Sequence, residues 1–389
     1  MNKVNIKSAT YTILVSLAFL FHVFNKIQIN ESIKLFHVFC GCAICAGLLL
    51  NRFRDKVSNA FLQLVLWTAI SSVLSVSDSS LDVLLKFSIV SFSVFFIPYV
   101  PIKRLVSYVN CLIPIALIRL LLHYLQSDAG SFYRFQGFYE DPNYLCTTLL
   151  VMYFYIQLLW NLLANKWIKI GLIIEILLIF LLVSASISRT GIVCFLLMTV
   201  VFWWDVIKKN IKTSVIFIPV FGIVIFVCFH EYIQNALEGY SMRETHRNDS
   251  ISSASDLRWQ ISLNGIRFLF SHPSYFFQGI GIGTYSTATN CIPGWQTSMS
   301  TRWFIDHNTI TGWFSEQGMV GLVLLVRFLY LICKRIVSNM NFKIMHLNTY
   351  FVSVFGIFLL FSISINQTNY LPWWFLIFTL ISLSKQSLN

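Results

Sequence analysis

The chain has 389 residues, of which 57% are hydrophobic and only 11% charged, and its formal net charge is +12. Soluble domains carry about 25% charged residues, so this composition excludes an ordinary soluble protein. Apolar runs of about 20 residues recur along nearly the whole chain, and each is long enough to cross a ~30 Å hydrocarbon core as a helix. We therefore expect an all-α polytopic integral membrane protein.

The first apolar run follows Lys3 and Lys7, and no small-residue cleavage motif comes after it. This pattern predicts a retained first span rather than a removed signal peptide. Spans 1–9 are expected within residues 1–230, a large polar loop at 231–306, and spans 10–12 within 307–389. The twelve predicted spans cover residues 8–25, 32–50, 58–76, 82–100, 104–125, 142–163, 167–184, 187–205, 213–230, 307–333, 346–363 and 369–384.

The basic residues predict an orientation. With the N-terminus in the cytoplasm, sixteen of the 28 Lys and Arg residues fall on short connectors and span ends of the cytoplasmic side, as the positive-inside rule requires. Both termini are then cytoplasmic, and the 231–306 loop lies outside. Because topology accounts for the net charge, we do not expect nucleic-acid binding. Most of the nine cysteines fall in or beside apolar runs, where cysteine behaves as a small hydrophobe.

Four polar clusters lie at span ends on the predicted outer side. The first is RFQGFYEDPNYL, residues 134–145. Asp141 and Pro142 predict the N-cap and first turn of the sixth span, with Asn143 directly after them. That helix start does not account for Arg134, which either snorkels toward lipid headgroups or points inward at an anion.

The second cluster is SASISRTG, residues 184–191, which joins spans seven and eight. Its connector is so short that Arg189 must lie at the mouth of the helix bundle. The neighbouring hydroxyls either satisfy backbone groups there or, together with the arginine fork, bind a phosphate.

The third cluster occupies residues 255–285. It predicts a helix flanked by Arg258 and Arg267, with an apolar stripe of Trp259, Leu263, Ile266 and Phe270. Such a helix either anchors at the membrane interface or contributes to a site. The glycines that follow (Gly279, Gly281 and Gly283) lack the context of a dinucleotide site, and we expect a hinge or a close backbone approach.

The fourth cluster is DHNTITGWFSEQGMVG, residues 306–321. Asp306 or Asn308 is expected to cap the tenth span, and His307 then either joins the cap or acts as a neutral general base beside an anion. Glu316 lies deeper, where an acid needs a partner. The sequence contains no metal-ligand motif, P-loop or Gly-x-Ser-x-Gly, so an enzyme of this type is expected to act on an already activated substrate.

In this order and on one side, these motifs resemble the O-antigen polymerase/ligase superfamily of bacterial envelopes, the Wzy-type polymerases and WaaL-type ligases. The similarity rests on RFQGFYEDPN, SRTG, the large late loop with LRW and GIGIGTY, and His-Asn followed after nine residues by Gly-x-x-Gly. These motifs cover about a quarter of the chain.

The resemblance implies a GT-C-like glycosyltransferase of the bacterial inner membrane whose active site faces the periplasm. It implies a donor and an acceptor that are both undecaprenyl-diphosphate-linked oligosaccharides. Its other expected partners are the lipid bilayer, a chain-length regulator and a flippase. No metal or other cofactor is expected, since arginines take the metal's place at the diphosphate. The implied catalytic residues are His307, as general base, and Arg258, and the implied substrate-binding residues are Arg134, Arg189, Asn143, Asn308, Tyr285 and Arg267.

Two alternatives stay open beside the polymerase. A ligase moves finished glycan to lipid A-core, and the His-Asn-x9-Gly-x-x-Gly pattern is typical of ligases. A twelve-span lipid-oligosaccharide flippase predicts internal repeats and charged residues near mid-membrane in both halves. The chain shows no clear repeat and carries one large loop on one side, which argues against the flippase. The GFYEDPNY stretch and the richness in aromatic residues, with 36 Phe, 16 Tyr and 11 Trp, resemble the polymerases more than the ligases.

Overall fold

The computed structural model describes residues 6–24, 27, 29, 33–50, 55–75, 78–127, 134–163, 165–209, 254–285, 306, 308–338, 345–363, 365–367 and 369–385. They form helices joined by turns, including a short 3-10 helix, Ile97–Tyr99. The α-helices are α1 (Ile6–Val23), α2 (Leu35–Leu48), α3 (Lys56–Val73), α4 (Asp78–Phe95), α5 (Ile102–Gln126), α6 (Pro142–Leu162), α7 (Lys166–Ala185), α8 (Arg189–Lys209), α9 (Ala254–Ser271), α10 (Pro273–Gln278), α11 (Thr309–Ser338), α12 (Met345–Ser362) and α13 (Leu371–Lys385).

The fold is that of an α-helical membrane protein. In the described part of the chain, five helical segments are long and apolar enough to cross a bilayer: Ile6–Val23, Ser80–Tyr99, Ile102–Gln126, Pro142–Leu162 and Lys166–Ala185. Helices also occupy the other predicted spans apart from the ninth, 213–230, which lies outside the described residues. The helical membrane class is thereby confirmed, whereas the number of crossings stays a prediction.

Two helices form the centre of the bundle. Every residue of α13 from Leu371 to Leu383 is buried, and α6 is buried almost continuously from Leu145 to Leu158. Trp374 of α13 packs against the rings of Phe61 and Phe87, which come from α3 and α4. These aromatic contacts tie the N-terminal helices to the C-terminal ones.

An ionic cluster joins three helix ends at one end of the bundle. Asp55, the N-cap of α3, lies 2.5 Å from Lys385 of α13 and 3.2 Å from Arg335 of α11. The ammonium of Lys385 also lies 4.3 Å from the ring centroid of Tyr99. The sequence predicts the three charged residues for the cytoplasmic side, and the fold brings them together.

Helix α11 is broken near its start. Gly318 has φ 66° and ψ −171°, which no helix contains. The break separates a short first segment from the long remainder, and it exposes backbone groups of residues 315–317 to partners other than their own helix. Such a break inside a membrane bundle persists only where neighbouring groups satisfy the freed backbone.

Candidate functional site

Helix α6 starts as predicted. The Asp141 side chain accepts a hydrogen bond from the backbone N–H of Asn143 at 2.7 Å, and Pro142 occupies the first turn. Both predictions for this helix start are confirmed. The cap fixes Asn143 at the mouth of the bundle with its side chain buried.

Arg134 is directed at the protein. Its Nε donates to the Ser186 carbonyl oxygen at 3.1 Å, and the N–H of Phe135 donates to the Ala185 carbonyl at 3.1 Å. The chain before α6 thereby docks on the connector between α7 and α8. Because Arg189 begins α8 directly after that connector, two arginines from distant motifs lie in one region.

The α7–α8 connector is also bonded to the start of α6. Ser188 caps α8 by accepting from the N–H of Gly191 at 3.1 Å, and its hydroxyl donates to Asn143 Oδ1 at 2.7 Å. The Ser186 hydroxyl lies 3.0 Å from Cys146 Sγ. The serines that flank Arg189 therefore satisfy backbone and side-chain groups, as one of the two sequence interpretations expects.

The connector between α12 and α13 joins the same region to the start of α11. The Tyr144 hydroxyl donates to the Asn366 carbonyl at 2.9 Å, and Gln367 donates from its backbone N–H to the Thr309 hydroxyl at 3.1 Å. The amide Nε2 of Gln367 lies 3.2 Å from Thr147 Oγ1. We call this assembly the polar layer; it comprises Arg134, Asn143, Thr147, Ser188, Arg189, Thr309, Asn366 and Gln367.

Helix starts converge on the polar layer. Helices α6, α8 and α11 begin at or beside its residues, and α13 begins after Tyr370, whose hydroxyl donates to the Tyr144 carbonyl at 2.5 Å. Each helix N-terminus carries about +0.5 elementary charge. The guanidinium groups of Arg134 and of the exposed Arg189 add positive charge at these helix starts, and the carboxyls of Asp141 and Asp306 add negative charge at the starts of α6 and α11. The arginine side is the part of the polar layer that suits an anionic group such as a phosphate.

A buried carboxyl precedes α11. Asp306 accepts hydrogen bonds from the Thr311 hydroxyl at 2.7 Å, from Ser262 of α9 at 2.8 Å, and from the N–H of Asn308 at 2.9 Å. Burial raises the pKa of Asp306 above its ordinary value, and these hydrogen bonds act in the opposite direction. Asn308 caps α11 by accepting from the N–H of Ile310 at 2.8 Å. Asp306 thus fastens α9 to the start of α11.

The structure does not place three of the predicted site residues at the polar layer. His307 lies outside the described residues, and of Arg258 the structure describes the backbone alone, within α9. Arg267 is exposed on α9. The general-base role of His307 and the role of Arg258 therefore stay predictions.

The predicted apolar stripe of α9 is confirmed at Ile266, which packs against the cluster facing α11, and is wrong at Phe270. Phe270 is 66% exposed, whereas Phe268 and Leu269 are buried against α11. The packing face includes Gly265 and Ser262, because a small residue allows close approach to Ser315 and a hydroxyl reaches Asp306. A hydrophobic pattern cannot predict either residue, because glycine and serine are not large apolar residues.

The glycine segment, which we define as residues 279–285 after α10, docks on the break in α11. The N–H of Ile280 donates to the Ser315 carbonyl at 3.1 Å, and that of Gly281 to the Glu316 carbonyl at 2.8 Å. A Cβ on Gly318 would lie 2.5 Å from the backbone N of Gly279. The close backbone approach expected for these glycines is therefore present.

The same segment supplies the partner that Glu316 requires. The Glu316 carboxyl accepts hydrogen bonds from the backbone N–H groups of Gly283 and Tyr285. Tyr285 is itself buried, and its hydroxyl donates to the Ile261 carbonyl of α9. Tyr285 thus holds α9 and the glycine segment together, and its substrate-binding role stays a prediction.

Sequence reasoning missed Thr147, Asn366 and Gln367. The available signal was the polar run Asn366-Gln367-Thr368-Asn369 between two apolar spans, but short polar connectors are common there and nothing local distinguishes this one. Over the described ranges, no group of three or more His, Cys, Asp or Glu side chains is arranged to hold a metal ion.

Comparison with known proteins adds no relative. No protein-family model matches this sequence, and no curated protein sequence matches it. A function for this chain is therefore inferred from the residues of the polar layer and from the motifs that contain them.

Proposed function

We propose that this chain is a polysaccharide polymerase that joins undecaprenyl-diphosphate-linked oligosaccharide repeat units at the periplasmic face of the bacterial inner membrane. In this reaction a sugar hydroxyl of the acceptor attacks the anomeric carbon of the donor. The bond from that carbon to the phosphate oxygen breaks, the hydroxyl proton goes to a base, and undecaprenyl diphosphate leaves. The proposal includes twelve crossings, a GT-C-like arrangement and both termini in the cytoplasm.

One observation carries the proposal. Arg134, which is half-buried, and Arg189, which is exposed at the start of α8, come from two of the motifs and lie at the polar layer, where helix starts add positive potential. A diphosphate leaving group gains charge as the glycosidic bond breaks, and fixed positive groups stabilise that charge most in a site shielded from water. A membrane-boundary location also suits a lipid-linked donor.

The acceptor hydroxyl requires a base, and His307 is the proposed one. Its sequence neighbours Asp306 and Asn308 are fixed by hydrogen bonds at the start of α11. A general base contributes roughly 10²–10⁴-fold to the rate. Arg258 of α9 is proposed as a further positive group at the leaving diphosphate.

The test is deletion of the gene followed by gel analysis of the surface glycan. We expect lipid A-core capped with a single repeat unit. Bare core with polymer accumulated on undecaprenyl would instead indicate a ligase, and loss of lipid-linked units from the outer face a flippase; either result would overturn the proposal.

Complementation of that deletion tests the residues. His307→Ala and Arg189→Ala should each lower chain extension about 100-fold or more while the protein stays in the membrane. Arg327→Ala is the matched control, because Arg327 is exposed on α11 and bonds Gln63. Full activity in His307→Ala would remove its role as base, and full activity in Arg189→Ala would remove the proposed diphosphate contact.

A further inference from the structure

Gln367 is a fully buried amide in the polar layer. Its side chain has no exposed surface, and it lies where the start of α6, the start of α11 and the α12–α13 connector meet. Its backbone N–H and its side-chain Nε2 both have partners, Thr309 and Thr147. Gln367 is thus held in place from both ends.

The hydrogen bonds around Thr147 fix which way this amide faces. The Thr147 hydroxyl donates its single proton to the Asn143 carbonyl at 3.1 Å. It therefore accepts from Gln367, and the group that approaches it must be the NH₂ end. The opposite atom, Oε1, is the carbonyl oxygen, and it has no hydrogen-bond partner among the described residues.

A buried carbonyl without a donor is unfavourable, since burial removes the water that would otherwise bond it. Native proteins keep few such groups, and each calls for a specific explanation. Gln367 retains one at the centre of the candidate site, although an apolar side chain of the same length would avoid it.

We propose that Gln367 Oε1 is a recognition group for the glycan, accepting a hydrogen bond from a sugar hydroxyl or from the N–H of an acetamido sugar. This inference rests on the proposed function and names the part of the substrate that meets the α12–α13 connector. A lone acceptor repels a phosphate oxygen, so this position takes the sugar, whereas the arginines take the diphosphate.

Access to this acceptor requires a movement, because Gln367 is fully buried. The Tyr144 hydroxyl donates to the Asn366 backbone carbonyl next to Gln367, and both residues are half-buried. The proposal requires the Tyr144 side chain to turn aside so that a sugar donor reaches Gln367 Oε1.

The experiment compares two replacements of Gln367 in the purified full-length chain. Gln367→Met keeps length and removes the acceptor, and Gln367→Glu keeps an oxygen acceptor. With lipid-linked repeat unit as substrate, Gln367→Met should raise KM about 10–100-fold, because the sugar donor loses its partner. Gln367→Glu should keep KM within about threefold of the wild type.

Gln157→Met is the matched control. Gln157 is a buried glutamine of α6 whose two amide ends are bonded to Met198 and Tyr350. Its replacement should lower the thermal unfolding temperature and leave KM unchanged. Gln367→Met should leave the unfolding temperature close to that of the wild type, since it removes an unpaired acceptor along with one bond.

The outcomes separate the two proposals. If the wild type extends chains and Gln367→Met has a normal KM, the acceptor meets only a buried water and the inference is wrong. The inference is also wrong if Gln367→Glu raises KM as much as Gln367→Met does. If the wild type does not transfer the repeat unit at all, the proposed function itself fails. Binding of the free repeat-unit oligosaccharide, measured by calorimetry, should weaken about tenfold or more in Gln367→Met.

Discussion

Asp55 concentrates charge at the end of the bundle opposite the polar layer. Burial alone would raise the pKa of its carboxyl, but hydrogen bonds from Lys385 and Ser58 and the charges of Lys385 and Arg335 outweigh burial. The pKa falls from the ordinary 3.8 to about 2. Because the three charged side chains come from α3, α11 and α13, the cluster holds helices that are distant in sequence.

Replacing Asp55 should lower stability in a pH-dependent way. With the folded-state pKa below its ordinary value, the ionised carboxyl stabilises the folded chain above about pH 4, and this contribution disappears as pH falls toward 2. This lowering of the Asp55 pKa corresponds to about 2 kcal/mol of stability. Thermal unfolding of purified Asp55→Asn should show this deficit at pH 7, about half of it at pH 3 and a much smaller one at pH 2.

Asp82→Asn provides the control for that measurement. Asp82 pairs with Lys86 one turn away on α4, and its side chain is 50% exposed. Exposed pairs of this kind contribute little, so Asp82→Asn should unfold close to the wild type at both pH values. An equal loss of thermal stability in the two variants, or a loss in Asp55→Asn that does not depend on pH, would contradict the stabilising role of the Asp55 carboxylate.

At the scale of single residues, local sequence predicted caps well and orientations poorly. Asp141 and Pro142 define a helix start through neighbours in sequence, so local pattern was sufficient. The direction of Arg134 depends on the Ser186 carbonyl, which lies on another pair of helices. Gln367 was overlooked for the same reason, since its partners are Thr147 and Thr309.

At the scale of elements, α11 is the helix whose irregularity organises its neighbours. Gly318 interrupts it, and the carbonyls of Ser315 and Glu316 then receive N–H groups of the glycine segment. On the other side, Trp67 of α3 donates to the Gln317 carbonyl at 2.9 Å. The break is therefore satisfied from two directions, which is the condition for irregular backbone within a bundle.

Gly318→Ala should destabilise the chain by on the order of 2–3 kcal/mol, because a Cβ there meets both a positive φ and the backbone of Gly279. Gly356→Ala in α12 is the matched control. A Cβ on Gly356 meets nothing within 4 Å, and alanine in a helix interior is favoured over glycine by roughly 0.5–1 kcal/mol. Thermal unfolding in detergent measures both; equal stability of the two variants would show that the break tolerates a side chain.

The α9 packing face shows why element-level prediction failed where it did. Periodicity of large apolar residues correctly indicated Ile266 and wrongly indicated Phe270. The face that docks on α11 also uses Gly265 and Ser262. Close approach and hydrogen bonding selected those residues, and both effects depend on what α11 presents. The sequence of α9 alone predicts that a helix forms, but it does not predict which face of the helix packs against α11.

At the scale of the whole molecule, burial runs opposite to hydropathy. Lys166–Ala185 has a mean hydropathy of 2.6, and 28% of its most apolar stretch is buried inside the protein. Pro142–Leu162 has a mean hydropathy of 1.5, and 78% of its corresponding stretch is buried. In a bilayer the most apolar helix loses nothing by facing lipid, whereas helices that carry Thr, Tyr, Asn and Gln gain partners inside the bundle. Polar side chains therefore select the centre, and this is where the polar layer lies.

The proposed topology is a whole-molecule prediction. The positive-inside rule predicts that the C-terminus lies in the cytoplasm. A fluorescent reporter that matures only in the cytoplasm should therefore fluoresce when fused after Asn389. A phosphatase active only outside should work when inserted within 286–305. Exchanging the two reporters between the sites is the control. Activity of the exchanged reporters would indicate the opposite orientation and contradict the prediction.

The sequence by itself determined the helical membrane class, most helix positions and the cap of α6, because these depend on hydropathy over about 20 residues and on adjacent side chains. Tertiary structure decided which helices are central, how α9 is rotated, what pairs with Glu316 and which side chains share the polar layer with Arg134. Those outcomes depend on hydrogen bonds between groups far apart in the chain, and hydropathy carries no information about which buried donor will meet which acceptor.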